Sequence, residues 1–153
     1  MITKRLEEYL EIIYSVIEQK GYARAKDIVK AMNVSPPTVT EMLQKLDREG
    51  FINYEKYGGV TLTEKGRKIV KNLERRHETL KNFFILIGID EKTADDDACK
   101  IEHIASNETM KILTKFVEFM QKHEKPKWLE RFKIYCNEGK LIECPETKKK
   151  MKK

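Results

Sequence analysis

Between Ala25 and Leu62 the chain breaks itself into short units with hard boundaries. Ala25 to Asn33 reads as a short helix with Ile28 and Ala31 inward. Val34-Ser35-Pro36-Pro37 then turns the chain and restarts a helix, with Ser35 as its cap and proline in the first turn, where the missing N–H costs nothing. That helix carries Val39, Leu43 and Leu46 on one face and stops at Gly50. Phe51 to Tyr54 and Val60 to Leu62 are β-rich runs separated by a Tyr57-Gly58-Gly59 turn, which predicts a hairpin. Two short helices, a tight turn and a hairpin leave few folds open. With a helix on either side, the order is that of a winged helix-turn-helix.

The flanks supply those helices. Residues 3–19 repeat Leu6, Leu10, Ile13 and Ile17 at helical spacing, and Gly21 ends the run. Thr63 caps a long helix from Glu64 to Leu86 or Ile87. Two further helices follow Gly88, one from Glu91 to Ala105 and one from Glu108 to His123. Ser106 or Asn107 caps the second, whose stripe is Met110, Leu113, Val117 and Met120. Pro126 interrupts the pattern, and Trp128 to Tyr135 forms a last short helix. The predicted fold class is mainly α: a winged helix-turn-helix with a small β-hairpin wing over residues 1–70, an all-helical unit over 71–138, and a basic tail over 139–153 expected to be disordered. A helical unit this small, with strong apolar stripes, suggests a dimerisation layer.

Charge says less than it promises. There are 31 basic and 25 acidic residues in 153, a net +6. Five of the lysines stand in the run 148–153, so the rest of the chain is nearly balanced and charge alone is no evidence for nucleic acid. Apolar residues make up 40%, enough for a core, and no run approaches a membrane span. Glu7 and Glu8 lie where a signal peptide would be apolar. Cys99, Cys136 and Cys144 are odd in number and irregular in spacing, which fits a cytoplasmic chain rather than a disulfide framework.

The outward face of the second short helix is small and polar. Thr38, Gln44 and Lys45 suit phosphates or base edges, alongside Ser35 and Thr40. Glu41 can accept from a cytosine amino group, and Pro36 and Pro37 can touch a thymine methyl. Lys56 on the wing can reach flanking phosphates. These nine positions are the expected DNA contacts. The plainer reading of the same residues is a solvated helix face.

A second constellation lies on the Glu91–Ala105 stretch. At 100° per residue, Ala94, Ala98, Ile101 and Ala105 line one side, while Asp95, Cys99, Glu102 and His103 gather on the other. Two carboxylates, a thiol and an imidazole are a set of metal donors. His77 falls within the inward row Leu73, His77, Leu80, Phe84. His77-Glu78-Thr79-Leu80-Lys81 fails the zinc-protease pattern, because Lys81 stands in place of the second histidine. Glu8 and Glu11 share a helix face, but periodicity assigns that face to solvent. Cys99 and His103 lack the oxyanion donors and partner loop of a hydrolase, so an enzyme is not expected.

The segments Glu8-Tyr9-Leu10-Glu11-Ile12-Ile13-Tyr14, Lys20-Gly21-Tyr22-Ala23-Arg24, Val34 to Thr40, Arg76-His77-Glu78 and Cys99-x-x-Glu102-His103-Ile104-Ala105-Ser106 resemble those of the diphtheria toxin repressor family. These are metal-dependent transcriptional regulators, and the likeness is greatest to the manganese transport regulator branch. It covers roughly residues 3–122. The resemblance implies that Glu8, Glu11, His77, Cys99, Glu102 and His103 surround one or two divalent ions, Mn(II) or Fe(II). It also implies a homodimer that binds a palindromic double-stranded operator near metal-uptake genes, without membrane association. Manganese regulators carry aspartate where this chain has Glu8 and glutamate where it has Cys99. Iron regulators carry methionine and cysteine there, so this chain draws one residue from each pattern. Lys81 and Asp95 replace two accessory ligands of the iron regulators, and the β-barrel domain that ends those proteins is not expected. The competing expectation is a winged-helix regulator that answers to an organic ligand or to no effector.

Overall fold

The computed structural model describes residues 2–143; Cys144 and the lysine run 148–153 lie outside the described residues. Its elements are α1 (Lys4–Lys20), α2 (Ala25–Met32), α3 (Pro36–Arg48), β1 (Ile52–Tyr54), β2 (Val60–Leu62), α4 (Glu64–Leu86), α5 (Glu91–Ile101), α6 (Asn107–Lys122) and α7 (Lys127–Glu138). Their order is that expected from the sequence: three helices, a hairpin wing, then helices.

Local signals account for most boundaries. The Leu6 N–H donates to the Thr3 hydroxyl at 3.3 Å, satisfying one of the free amides at the start of α1. The helix ends where Gly21 adopts φ +79°, a conformation that favours glycine. Thr63 and Ser106 likewise cap α4 and α6 through their side chains. Ser35 is the N-cap of α3 by position, but its hydroxyl pairs with that of Thr38 at 2.7 Å instead of taking a backbone amide.

Leu6, Tyr9, Leu10 and Ile13 of α1 form one core with Ile28, Val39, Leu43, Leu46, Ile52 and Val60. The hairpin pairs Ile52 with Leu62, Asn53 with Thr61 and Tyr54 with Val60. It is tied to the helices where the Val60 N–H donates to the Ala23 carbonyl at 2.8 Å. One expectation fails: Ala31 is exposed, and the buried partner of Ile28 on α2 is Asp27. Asp27 tolerates burial because it accepts from Lys20 at 2.7 Å and from the Arg24 N–H at 3.0 Å.

The long helix α4 joins the two units. Its first turn presses on the backbone just before β1, where a Cβ on Gly66 would collide with the Phe51 carbonyl oxygen. Backbone stands on both sides of that contact, so no side-chain rotation relieves it. Gly66→Ala is expected to destabilise the chain by about 3 kcal/mol or more, measurable as a fall in urea midpoint. Further along, Leu80 of α4 packs with Ala98 of α5 and Met110 of α6 into a second, smaller core. No helix among the described residues is long and apolar enough to cross a membrane.

Candidate metal centre and nucleic-acid interface

The α5 helix stops short of its predicted end. It closes at Ile101 rather than Ala105, and the amides of Ile104 and Ala105 both return to the Ile101 carbonyl. The cause lies outside the segment. Arg76 on α4 donates through Nε to the Glu102 carbonyl at 2.7 Å, through a terminal nitrogen to the Ala105 carbonyl, and through the other to Asn107 at 3.1 Å. A guanidinium fork held by two carbonyls and an amide oxygen outbids a further turn of helix. Glu102 and His103 therefore stand in the turn between α5 and α6, not on a helical stripe.

That turn meets α1. One donor atom each from Glu11, Glu102 and His103 lies within 4.8 Å of the others. His103 Nε2 is 3.5 Å from Glu11 Oε2 and 3.4 Å from Glu102 Oε1, while its Nδ1 is 2.8 Å from Glu7 Oε2. The side chains of Glu102 and His103 are each only 2% exposed. Glu11 is pushed up to about 8, first by burial and then by its hydrogen bond to Glu102 and that group's charge. A carboxyl that is both buried and next to a second carboxylate keeps its proton to higher pH. Such a pair beside an imidazole is an arrangement that a divalent cation relieves, and oxygen-rich O/N donors of this kind suit Mn(II) and Fe(II).

The other predicted donors surround this group without entering it. His77 Nδ1 is 2.8 Å from Glu102 Oε2, and its Nε2 is 2.9 Å from Asp95 Oδ1. Burial opposes the charged imidazole, but the bonds to Asp95 and Glu102 prevail and raise its pKa. Asp95 is drawn away from the triple by His77 and by Lys81 at 3.2 Å. Glu8 pairs with Arg5 at 3.2 Å and Lys4 at 3.9 Å. Cys99 is exposed; burial of its thiol, then the charges of Glu102, Glu11, Asp95 and Glu8, push its pKa up. Sequence reasoning passed over Glu7 and Arg76. Glu7 stands four residues before Glu11, a spacing that places the two on one face; Arg76 falls within a segment that carries the family resemblance, but nothing there points to its grip on the α5–α6 turn.

Ser35, Pro36, Pro37, Thr38, Glu41 and Gln44 are exposed along α3, while Thr40 and Lys45 are half-buried. At the wing tip, Lys56 sits 5.7 Å from the ring centre of Tyr57, which is 93% exposed. A cleft of about 810 Å³ lies between α4 and α6, lined by Thr79, Met110 and Thr114 together with charged residues such as Arg75, Glu78 and Lys111.

Residues 1–60 match the "Iron dependent repressor, N-terminal DNA binding domain", and residues 63–129 match the "Iron dependent repressor, metal binding and dimerisation domain". Over 124 residues the chain is 45% identical to the HTH-type transcriptional regulator MntR of Bacillus pumilus (strain SAFR-032), covering 81% of this chain and 86% of that protein. The chain belongs to the iron-dependent repressor family. MntR of Bacillus subtilis (strain 168) is 44% identical over 124 residues, covering 81% of this chain and 87% of that one. Among solved structures, the metal-dependent transcriptional regulator MtsR superposes with a TM-score of 0.67 at 33% identity, over 77% of this chain and 55% of that one. A manganese-dependent transcriptional repressor in complex with manganese superposes at 0.65 and 28% identity, over 74% of this chain and 53% of that one. The chain thus spans about half the length of those two solved proteins. As a member of the iron-dependent repressor family it is a metal-dependent, DNA-binding transcriptional regulator.

Proposed function

We propose that this chain is a cytoplasmic, homodimeric repressor of metal-uptake genes whose affinity for a palindromic operator is raised by Mn(II) or Fe(II). The observation that carries the reading is the meeting of Glu11 from the reading unit with Glu102 and His103 from the α5–α6 turn. Glu11, Glu102 and His103 are the central donors, and Glu8, His77 and Cys99, which flank them, complete the set. The division follows the sequence expectation, with residues 1–70 reading DNA and residues 71–138 binding metal and dimerising. On α3 and the wing, Ser35, Pro36, Pro37, Thr38, Thr40, Glu41, Gln44, Lys45 and Lys56 meet the operator, since they lie on the recognition helix, its cap and the hairpin and all but Thr40 and Lys45 are exposed.

Held by these residues, a divalent ion would supply the positive charge that the Glu11–Glu102 pair lacks. Glu11 would then give up its proton, and α1 would be clasped to the turn that Arg76 fixes on α4. In a dimer, that clasp narrows the spread of angles between two recognition helices toward half-site spacing. By reciprocity, DNA tightens metal binding by the same factor.

The test is operator affinity by fluorescence anisotropy with Mn(II), with Fe(II), and with chelator. Binding is expected to tighten with metal by about five- to 150-fold, the range of about 1–3 kcal/mol of coupling. Equal affinity in all three conditions would remove the linkage.

A further inference from the structure

His77 offers its two ring nitrogens to two carboxylates of different kinds. Nδ1 faces Glu102, one of the three grouped donors, at 2.8 Å. Nε2 faces the other way, 2.9 Å from Oδ1 of Asp95. That same Asp95 oxygen is 3.2 Å from Nζ of Lys81, which also stands 3.5 Å from Glu91. Lys81 lies one turn after His77 on α4, and Asp95 one turn after Glu91 on α5, so the four meet across the seam between these helices.

An ionised aspartate only accepts hydrogen bonds, so the nitrogen it faces must carry a proton. In an imidazole ligand, the bond made by one nitrogen decides which nitrogen is free to donate to a metal. Histidine ligands commonly give their other N–H to a carboxylate that fixes both tautomer and ring angle. We propose that Asp95, anchored by Lys81, is a positioning residue that pins the Nε2–H form of His77 and leaves Nδ1 as the donor on the Glu102 side. Asp95 is then not a ligand, although it shares the predicted stripe with Cys99 and Glu102. The Lys81 ammonium neutralises Asp95 and keeps a divalent ion from settling on the outer side of the ring. The inference rests on the metal-site reading above and goes past it by assigning which His77 nitrogen serves.

Two measurements test it on the full chain. The first is Mn(II) affinity, read from the resonance of free Mn(II) in solution. Asp95→Ala is expected to weaken it by about 10–100-fold, the usual cost of losing such a partner. Asp95→Asn, whose amide oxygen still accepts from Nε2–H, is expected to recover most of that loss, and Lys81→Met to weaken binding less than Asp95→Ala. The second uses wild-type protein loaded with diamagnetic Zn(II) and needs no variant. Long-range ¹⁵N–¹H correlations are expected to show a proton on His77 Nε2 and none on Nδ1. Unchanged Mn(II) affinity in Asp95→Ala, or a bare Nε2 in the Zn(II) form, overturns the positioning role. Failure of the wild-type chain to take up Mn(II), or uptake undiminished in Glu102→Gln, strikes the site reading itself and is a separate result.

Discussion

Glu102→Gln is expected to abolish the metal response of operator binding and, at the same time, to raise the melting temperature of the metal-free chain at pH 8. The two effects share a cause. Glu102 is 2% exposed, is approached by His77 at 2.8 Å and His103 at 3.4 Å, and helps raise the pKa of Glu11. Gln fills the same volume, so the turn and its Arg76 clamp are retained. What disappears is the charge that makes the pocket attractive to a cation and costly without one. Mn(II) affinity is expected to fall on the order of 100-fold or more, while weak, salt-sensitive DNA binding through α3 and the wing persists. An assay pairing calorimetric melting with anisotropy reads both. A variant that melts lower than wild type and still responds to Mn(II) would show that Glu102 serves only packing.

The second large effect is in pH. Glu11 ordinarily titrates near 4.5, and the folded metal-free site raises it to about 8. Between those values the folded chain holds a proton that the unfolded chain has lost. The stabilising contribution is complete below about 4.5 and declines as pH rises through 8. His77, also raised, acts in the same direction from 6.5 upward. Metal-free protein is therefore expected to melt at lower temperature at pH 8 than at pH 6. Metal binding runs the opposite way, because the ion displaces that proton. With one proton of pKa about 8, Mn(II) affinity is expected to rise about 50-fold from pH 6 to pH 8. Chelated samples melted across that range, beside Mn(II) titrations at the same pH values, check both signs. A flat Mn(II) affinity would mean that Glu11 does not ligate.

The reading unit was legible because its boundaries are written locally. Thr3, Gly21 and Thr63 each end or begin a helix through their own side chain or φ angle, and each stands where the pattern of apolar residues changes. The site was legible only in part. His77 announces itself by interrupting an apolar row. Glu102 and His103 were expected on a helix that ends before them, since the residue that ends it, Arg76, reaches in from another element. The first helix posed a harder problem. Its wheel places Glu7, Glu8 and Glu11 on one polar side, and nothing within the helix says that a second unit docks there. Docking turns Glu7 toward His103 and Glu11 into the cluster, while Glu8 remains with Arg5 and Lys4. Glu8 and Glu11 entered the candidate list through family resemblance; Glu7 had no such route.

The Arg76 fork has a mechanical consequence. By seizing the α5–α6 turn it makes the donor-bearing loop ride on α4, and α4 begins with Gly66 wedged against the Phe51 carbonyl at the base of the hairpin. At 1.5 Å of rise per residue, the ten residues from Arg76 back to Gly66 make a shaft of roughly 15 Å. A tilt of about 5° along a rod of that length moves its end by about 1.3 Å. Adjustments at the donors thus arrive at the hairpin as a rigid shaft delivers them rather than relayed through soft contacts.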